Sequence, residues 1–469
     1  MNVEWEIVRL KDVTSILGDG LHGTPVYDEA GTYYFINGNN LNKGKIELNE
    51  NTKKTTKAEY LKHKKDLNER TILVSINGTL GNVALYNGEP VILGKSACYF
   101  NVLENVNKIF VRYVVSSNVF QTYLESLATG TTIKNVSLKL MREFTFKLPP
   151  LEIQNKIASV LAFLDDKITL NTQTNQTLEA IVQAIFKSWF VDFDPVKAKM
   201  EVLNSGGNAQ QAERAAMIVI SGKDDADLAE MESRLPVAFA ELAETAALFP
   251  AEMVESELGL IPLNWKKAEI IELAYLNNNI WSKKNAPEEI EYVDLANTKW
   301  GVIQTIEKIP YSIAPSRARR ILKKGDTIFG TVRPGNGSFA LIGEDGCTGS
   351  TGFAVLSPKS DYFSEFIYLC ITQVENINKL ARLADGGAYP AVNPDIIAST
   401  TCKLPSDTTT RISLLEKFHT SVFELFHYRE FNFAGNRSLS TLRDTLLPKL
   451  LSGEMRVPTE ELSPCDGAS

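Results

Sequence analysis

Two short basic segments are the residues of this chain best suited to bind phosphate groups. They are KKTTKAEYLKHKK at positions 53–65 and SRARRILKK at positions 316–324. Lysine and arginine neutralise phosphates, and such contacts position a protein on a nucleic acid without reading its sequence. At an offset of 256 residues, His63 and Lys64 fall opposite Arg319 and Arg320. The spacing therefore predicts two phosphate-binding segments in equivalent positions.

Each basic segment precedes a predicted β-hairpin. The hairpins are TILVSINGTLGNVAL at 71–85 and TIFGTVRPGNGSFAL at 327–341, and five of their fifteen letters match at the same offset of 256. The framework letters are shared, whereas the turn residues differ. Polar side chains on such turns can reach the edges of bases in the major groove. We therefore expect the two turns to read different base sequences.

The candidate DNA-binding residues lie in the basic segments, in the hairpin turns and in the glycine-containing stretches that follow them. In the first half of the chain they are Lys53, Lys54, Lys57, Lys62, Lys64, Lys65, Asn77, Thr79, Asn82 and Lys134. In the second half they are Arg317, Arg319, Arg320, Lys323, Lys324, Arg333, Asn336, Ser338 and Tyr389. A lysine run by itself is more often a solvated surface, and Asn-Gly by itself is usually only a turn.

Common catalytic templates are missing from the sequence. GNNLNKGKI at 38–46 does not have the spacing of a phosphate-binding P-loop, and CTGSTGF at 347–353 does not have the residue order of a nucleophile elbow. The five cysteines are scattered without a C-x-x-C pair, and there are only four histidines. We therefore predict no catalytic residue and no metal site. Two alternatives stay open: an enzyme with an unrecognised motif, and an interaction scaffold that does not bind DNA.

The overall charge of −8 argues against a nucleic-acid partner, but the charge is unevenly distributed. Residues 1–150 carry 18 Lys and Arg against 15 Asp and Glu, and residues 263–405 carry 16 against 15. Residues 191–262 carry 5 against 14 and account for the whole deficit. Local basic patches can therefore bind phosphate in either half. No apolar run is long enough to span a membrane, and no signal peptide is recognisable. Five scattered cysteines indicate a reducing compartment, so we expect a cytoplasmic protein.

The two halves of the chain are predicted to be an internal duplication. NWKKAEIIELAYL at 264–276 echoes EWEIVRLKDVTSI at 4–16, and LADGGAYPAVN at 383–393 echoes LATGTTIKNVS at 127–137. Short strands with Gly and Asn turns predict a β-rich domain in each half, and a long helix follows each domain. The predicted class is α+β. Two unrelated β-rich domains with similar turns are the alternative.

The two long helices carry heptad-like apolar stripes that predict an antiparallel coiled-coil pair. Asn171 interrupts the first stripe and is expected to fix the register of the pair; the alternative is a long surface helix with a polar break at this residue. Gly435 is expected to weaken the second helix, and Pro448 is expected to end it. The predicted stripe residues are Ile157, Leu164, Asn171, Leu178, Ile185, Phe418, Val422, Leu442 and Leu446.

These patterns divide the chain into six predicted segments. The connector between the repeats is predicted to hold one or two short helices and an exposed connection. The predicted segments are a first β-rich domain at 1–150, a first spacer helix at 151–190, an acidic helical connector at 191–262, a second β-rich domain at 263–405, a second spacer helix at 406–451 and a flexible tail at 452–469.

Over nearly its whole length the sequence resembles the specificity subunit of a type I restriction-modification system. The resemblance is carried by GTTIKNVS followed by LPPLEIQNKIASVLAFLDDKI, by IFKSWFVDFDPV at 185–196, by LFPAEMVESELGLIPLNW at 248–265 and by TLRDTLLPKLLSGEMRV at 441–457. The second helix opens with SDTTTRISLL where the first has PLEIQNKIASVL, so its start is less typical.

The resemblance implies that the two β-rich domains are target-recognition domains, each reading one half of a bipartite, asymmetric site in double-stranded DNA. The helices would set the gap between the halves and dock two methyltransferase subunits. Restriction-translocase subunits would complete the complex. The chain itself would be non-catalytic and would bind no cofactor, because S-adenosylmethionine, ATP and Mg²⁺ are expected on the partner subunits.

Overall fold

The computed structural model describes residues 5–42, 44–130, 134–257, 259–282, 284–384 and 390–457. These residues form two compact units. The first combines residues up to 169 with the described residues from 438 onwards, and the second comprises residues 170–437. Tyr389 and residues 458–469 of the tail predicted at 452–469 lie outside the described residues.

The first unit opens with eleven strands and four helices within its described residues. They are β1 Glu6–Arg9, β2 Thr14–Asp19, β3 Tyr33–Ile36, β4 Leu41–Asn42, β5 Lys45–Ile46, β6 Lys54–Thr55, α1 Lys57–His63, β7 Thr71–Ser75, β8 Val83–Leu85, β9 Val91–Leu93, β10 Ala97–Val102, α2 Lys108–Ser116, α3 Asn118–Leu127, α4 Leu138–Glu143 and β11 Thr145–Leu148.

The central sheet of this domain is antiparallel, with strand order β2-β10-β7-β8. Successive side chains of β7 point to opposite faces: Ile72 and Val74 join one apolar core with helices α2–α4, and Leu73 joins a second core. A strand buried on both faces explains the unbroken apolar run of this hairpin. Smaller sheets pair β6-β3-β9, β4-β5 and β1-β11.

A long helix and a helical connector follow. Helix α5 runs from Leu151 to Phe190. The described residues of the connector hold four helices and one strand pair, which corrects the prediction of one or two helices and an exposed connection. These elements are α6 Asp194–Asn204, α7 Ala209–Ser221, α8 Asp225–Arg234, α9 Pro236–Ala247, β12 Met253–Ser256 and β13 Gly259–Pro262.

The connector is packed rather than extended. Ala216, Met217, Leu228 and Ala246 form a small core between its helices. The ammonium group of Lys199, which is 2% exposed, donates to Glu213 Oε1 and to two backbone carbonyls. The charge count of the segment gave no indication of this packing, because packing depends on which faces of the helices are apolar and not on net charge.

The second β-rich domain and the second long helix complete the described chain. Their elements are β14 Trp265–Glu269, β15 Ala274–Leu276, β16 Glu289–Val293, β17 Thr298–Lys299, β18 Val302–Ile303, β19 Glu307–Pro310, β20 Ala318–Ile321, β21 Thr327–Gly330, β22 Phe339–Leu341, β23 Cys347–Ser350, β24 Phe353–Pro358, α10 Ser364–Ile371, α11 Val374–Ala384, α12 Pro394–Ala398, β25 Thr401–Pro405 and α13 Thr408–Ser452.

The two domains share one strand topology. The central sheet of the second domain has the order β15-β24-β21-β22, which matches β2-β10-β7-β8 element by element. The parallel pair β16–β23 corresponds to β3–β9, and β14–β25 corresponds to β1–β11. Strand β20, next to β23, has no counterpart among the described strands of the first domain. The shared topology confirms the predicted duplication.

Parts of both long helices pack together in each unit, and they run antiparallel. In the second unit Asn171 Nδ2 donates to Asn436 Oδ1 (2.9 Å), and Asn432 Nδ2 donates to Asn175 Oδ1 (2.9 Å). In the first unit Asp165 of α5 pairs with Arg443 of α13 (2.9 Å). Increasing residue numbers in one helix meet decreasing numbers in the other. The α+β class with an antiparallel helix pair is therefore confirmed.

The predicted stripe holds at most positions but not at all of them. Ile157, Leu164, Asn171, Phe418 and Val422 are buried. The other positions, Leu178, Ile185 and Leu446, are half-buried. Leu442 is 47% exposed, so its assignment to the packed stripe is wrong. The stripe fails there because the neighbouring polar residue, Arg443, takes the inward position and pairs with Asp165.

The second helix does not end at Pro448. It begins after Asp407, whose carboxylate accepts a hydrogen bond from Thr410 N (2.8 Å), and continues to Ser452. A proline removes one backbone hydrogen bond, but burial of Leu450 in the core of the first domain holds the last turn in place. Among the described residues, no helix combines the length and apolarity needed to cross a bilayer.

Candidate nucleic-acid interface

The turn of the first hairpin lies along the segment that follows helix α3. Gly78 N donates to Lys134 O (3.0 Å), and Val136 N donates to Ile76 O (2.9 Å). At the base of the turn, Ser75 N donates to Asn82 O (2.8 Å). These backbone bonds place the exposed Lys134 beside the exposed Thr79 and the half-buried Asn77 on one surface.

The second hairpin repeats this arrangement. Arg333 N donates to Pro390 O (2.8 Å), and Val392 N donates to Thr331 O (2.9 Å). Gly330 N donates to Ser338 O (2.6 Å) at the base of the turn. The two domains therefore present a turn and a neighbouring segment in the same way. Arg333 and Asn336 are exposed on this turn.

The structure shifts the alignment of the first hairpin strands by one residue. Leu73 pairs with Tyr99, and Ile328 pairs with Val355. Leu73 and Ile328 both face the smaller core, and they are 255 positions apart rather than 256. Because side chains alternate along a strand, a shift of one residue exchanges the two faces. The structural counterpart of Arg333 is therefore Gly78, not Asn77.

This correspondence exposes a strained position. Gly78 has φ of 76°, in the left-handed region that glycine adopts readily. Arg333 occupies the same place with φ of 47° and ψ of 62°. A non-glycine residue held there costs of order 1–3 kcal/mol, and such residues cluster at binding and active sites. The backbone strain at residue 333 therefore favours a binding role for the Arg333 side chain, since glycine would occupy this position without strain.

Ser338 does not belong to the exposed surface, which corrects its assignment as a base-reading residue. It is 5% exposed, and its hydroxyl donates to Leu295 O (3.1 Å) while accepting from Lys299 Nζ (3.2 Å). Ser338 is the counterpart of the half-buried Asn82 at the base of the turn. A position that closes a hairpin points back toward its own domain, and sequence spacing alone did not reveal this.

The first basic segment forms strand β6 and helix α1. Lys53, Lys57, Lys62 and Lys64 are exposed, and Lys54 and Lys65 are half-buried. The helix is capped by the Thr56 hydroxyl, which accepts from Glu59 N (3.3 Å). The Glu59 carboxylate accepts a hydrogen bond from Val26 N. This bond and the nearby charges of Lys62 and His63 lower the pKa of the Glu59 carboxyl. Four exposed lysines on a short helix and its flanks suit phosphate contacts.

The second basic segment has a different local structure. It forms β20, which lies at the edge of a sheet, so His63 and Lys64 are not structurally equivalent to Arg319 and Arg320. The predicted equivalence is wrong because the second domain inserts a strand at this point. Exposed basic residues nevertheless precede the hairpin of each domain along the chain.

The arginines of β20 differ in their availability. Arg317 Nε donates to Tyr292 Oη (3.0 Å), and Arg319 Nε donates to Ser316 O (2.9 Å) while its side chain stays exposed. Arg320 is half-buried, and burial lowers the pKa of its guanidinium. Lys323 and Lys324 are exposed at the turn that follows. Arg319 and the two lysines are therefore better placed for phosphates than Arg320.

Two exposed cations beside the turns were missed from the sequence. Lys95 precedes Ser96, whose carbonyl accepts from Ile76 N (2.9 Å) at the first turn. Arg382 is exposed on α11, the helix that packs against the turn Pro334–Asn336. A Gly-Lys-Ser turn between two apolar strands could have indicated Lys95. Arg382 gave no sequence signal, because only the fold brings α11 to the turn.

No group of three or more His, Cys, Asp or Glu side chains within the described ranges is arranged to hold a metal ion. The surfaces described above offer cations for phosphates and hydrogen-bonding groups at the turns. This chemistry suits positioning on DNA and contact with base edges.

Comparison with known proteins gives the family. Residues 2–180 match the model of the type I restriction modification DNA specificity domain. The chain is 31% identical over 374 residues to the type I restriction enzyme HindI specificity subunit of Haemophilus influenzae, covering 76% of this chain and 80% of that protein. The chain belongs to the family of type I restriction enzyme specificity subunits.

Further relatives agree with this assignment. The MjaIX specificity subunit of Methanocaldococcus jannaschii is 26% identical over 213 residues, which cover 43% of this chain and 47% of that protein. The crystal structure of a type I S subunit from M. genitalium covers 96% of both chains, with a TM-score of 0.50 and 17% identity. That likeness supports the fold. As a specificity subunit, the chain is the DNA-recognition component of its system and not a catalytic subunit.

Proposed function

We propose that each β-rich domain of this specificity subunit reads one half of a bipartite, asymmetric site in double-stranded DNA. The observation that carries the proposal is the repeated turn with different tips: the same backbone bonds hold Gly78 in one domain and Arg333 in the other. A shared scaffold with different side chains suits two half-sites of different sequence. A symmetric site would favour identical tips.

Within each domain the roles of the candidates differ. The exposed lysines at 53–64 and Arg319, Lys323 and Lys324 would contact phosphates and contribute to affinity. Arg333 and Asn336 in the second domain, and Asn77 and Thr79 in the first, would contact base edges. An arginine that bonds guanine in two places contributes about 1–3 kcal/mol of discrimination.

The helix pair would set the unread gap between the half-sites. Two readers on one face of B-DNA lie about one turn, or roughly 10 base pairs, apart from centre to centre. With about three to five base pairs read by each domain, roughly five to seven would remain unread. The same helices would dock two methyltransferase subunits. Restriction-translocase subunits would join that complex, and S-adenosylmethionine, ATP and Mg²⁺ would be bound by these partners.

The test is a map of modified bases in the source genome, with and without the gene. We expect one gapped motif with two different halves, methylated only when the gene is present. Exchange of residues 263–405 for the corresponding domain of a relative should alter one half of that motif only. A palindromic motif, or a change in both halves after the exchange, would contradict the proposal. No gene-dependent motif would favour an interaction scaffold.

A further inference from the structure

A single carboxylate joins the first domain to both long helices. Asp165 of α5 accepts hydrogen bonds from Arg112 Nη1 (2.9 Å) and Tyr113 Oη (2.8 Å) of α2, and from Arg443 Nη1 (2.9 Å) of α13. Its side chain is 18% exposed. Three charge-assisted or short hydrogen bonds therefore meet at one acceptor, and they come from two elements, α2 and α13.

The carboxyl of Asp165 stays charged in this position. Burial raises the pKa of Asp165. Hydrogen bonds from Arg443 and Tyr113 and the charges of Arg112 and Arg443 lower it by more than burial raises it, so the pKa lies below its usual value. Arg112 Nε is buried without a hydrogen-bond partner within the described part of the chain. The guanidinium of Arg112 is therefore held in its orientation at some cost.

The second unit has a related cluster on its own domain helix, with the opposite charge at its centre. Helix α10 is the counterpart of α2, and Tyr368 stands 256 positions after Arg112. Arg429 of α13, which is 3% exposed, donates to Glu179 of α5 and to Tyr368 Oη (3.5 Å). Its guanidinium also lies 5.2 Å from the centre of the Tyr368 ring. Again one ionised group joins the domain to both helices.

The two clusters are not interchangeable. The central group is an anion on α5 in the first unit and a cation on α13 in the second. Exchanging the domains between the clusters would bring Arg112 against Arg429, or leave Asp165 facing the ring of Tyr368. Burying two like charges side by side, or removing Arg112 and Tyr113 from Asp165, is costly, so the charges disfavour either exchange.

We infer that Asp165 and Arg429 are positioning residues, each of which fixes the orientation of one recognition domain on the helix pair. This inference rests on the function proposed above: the orientation of the domains would determine the gap length that the protein accepts. They lie on the helices and in contact with α2 and α10, not on the turns. One added base pair moves a half-site by about 3.4 Å and roughly a tenth of a turn. A rigidly held reader rejects that displacement, whereas a loosened one tolerates it.

The experiment uses the complex of the full chain with its methyltransferase subunits and DNA duplexes that carry the native gap or a gap one base pair longer or shorter. Asp165→Asn and Arg429→Gln remove the central charge. We expect the preference for the native gap to fall at least tenfold in each variant, while affinity for the native duplex falls less. Asp165→Glu should restore part of the preference. Glu152→Gln, an exposed pairing residue on the same helix, is the matched control and should change nothing.

The gap preference separates positioning from simple destabilisation, because a partly unfolded chain binds all three duplexes less well in the same proportion. If Asp165→Asn does not fold, Tyr113→Phe removes only one donor and should lower the preference two- to fivefold. An unchanged preference in the folded variants would overturn the inference. If the unmodified complex itself shows no preferred gap, the proposed function fails instead.

Discussion

Arg333→Gly should stabilise the chain and weaken its reading of DNA. Arg333 holds φ of 47° and ψ of 62°, and its structural counterpart Gly78 adopts the same region without strain. The left-handed conformation costs a non-glycine residue about 1–2 kcal/mol, and replacement by glycine removes this cost. Glycine also makes the unfolded chain more flexible, which lowers the free energy of unfolding by roughly 0.5–1 kcal/mol. The hydrogen bond from residue 333 N to Pro390 O is retained. The net gain is therefore about 0.5–1 kcal/mol.

The effect on DNA has the opposite sign. A lost two-point contact to guanine removes about 1–3 kcal/mol of discrimination, which corresponds to about 5- to 150-fold at one base position. The chain in complex with its methyltransferase subunits should be tested in competition binding, in which duplexes with single base-pair substitutions compete with the native duplex. Thermal unfolding of the chain should show a rise of about 1–3 °C.

A matched control identifies the cause. Asn264→Gly changes another exposed residue with positive φ, 61°, in the same unit. Asparagine tolerates this conformation, so its replacement should change stability little and DNA discrimination not at all. A fall in stability for Arg333→Gly would refute the argument from strain. Unaltered discrimination at every base position would remove Arg333 from the reading surface.

Three further outcomes are expected. Gly78→Arg, at φ of 76° and with open space around an added Cβ, should cost about 1–2 kcal/mol and alter base preference in the first half-site only, as seen by methylation mapping. Burial raises the pKa of Asp326 to about 6, above its value in the unfolded chain. The free energy of unfolding of the wild-type chain should therefore fall as pH rises from about 4 to 6. In urea titrations Asp326→Asn should abolish this pH dependence and raise the free energy of unfolding by about 1–3 kcal/mol at pH 7. Lys199→Met should leave two buried carbonyls and Glu213 without their donor and cost about 2–4 kcal/mol; an unchanged urea midpoint would contradict this.

Several features of this protein follow from local sequence alone. A heptad-like stripe predicts a long helix because the apolar face of a helix repeats with its own turn, and Ile157, Leu164 and Phe418 are buried as that rule requires. The duplication follows from several short stretches that match at a nearly constant offset. Family motifs at the helix ends then identified the class of protein, and the comparisons agree with it.

Other features depended on contacts between distant residues. The offset of 256 matched identical letters at the start of the two hairpins, yet the strand pairing makes Leu73 the structural counterpart of Ile328, and Ser338 is turned inward. A one-residue slip is invisible in composition, because both faces of this strand are buried and both accept apolar side chains. Only the pairing with the neighbouring strand selects the register.

The charged clusters on the helices are the clearest case of tertiary control. Asp165 and Arg443 are separated by 278 residues, and neither stands out from the many charged residues of a surface helix. Their pairing exists because two antiparallel helices and α2 meet at one point. The sequence by itself determined the two long helices, the repeated stretches and the basic segments, since these depend on neighbours along the chain. Tertiary structure decided which side of each element is buried and which charges meet, since these depend on residues that only folding brings together.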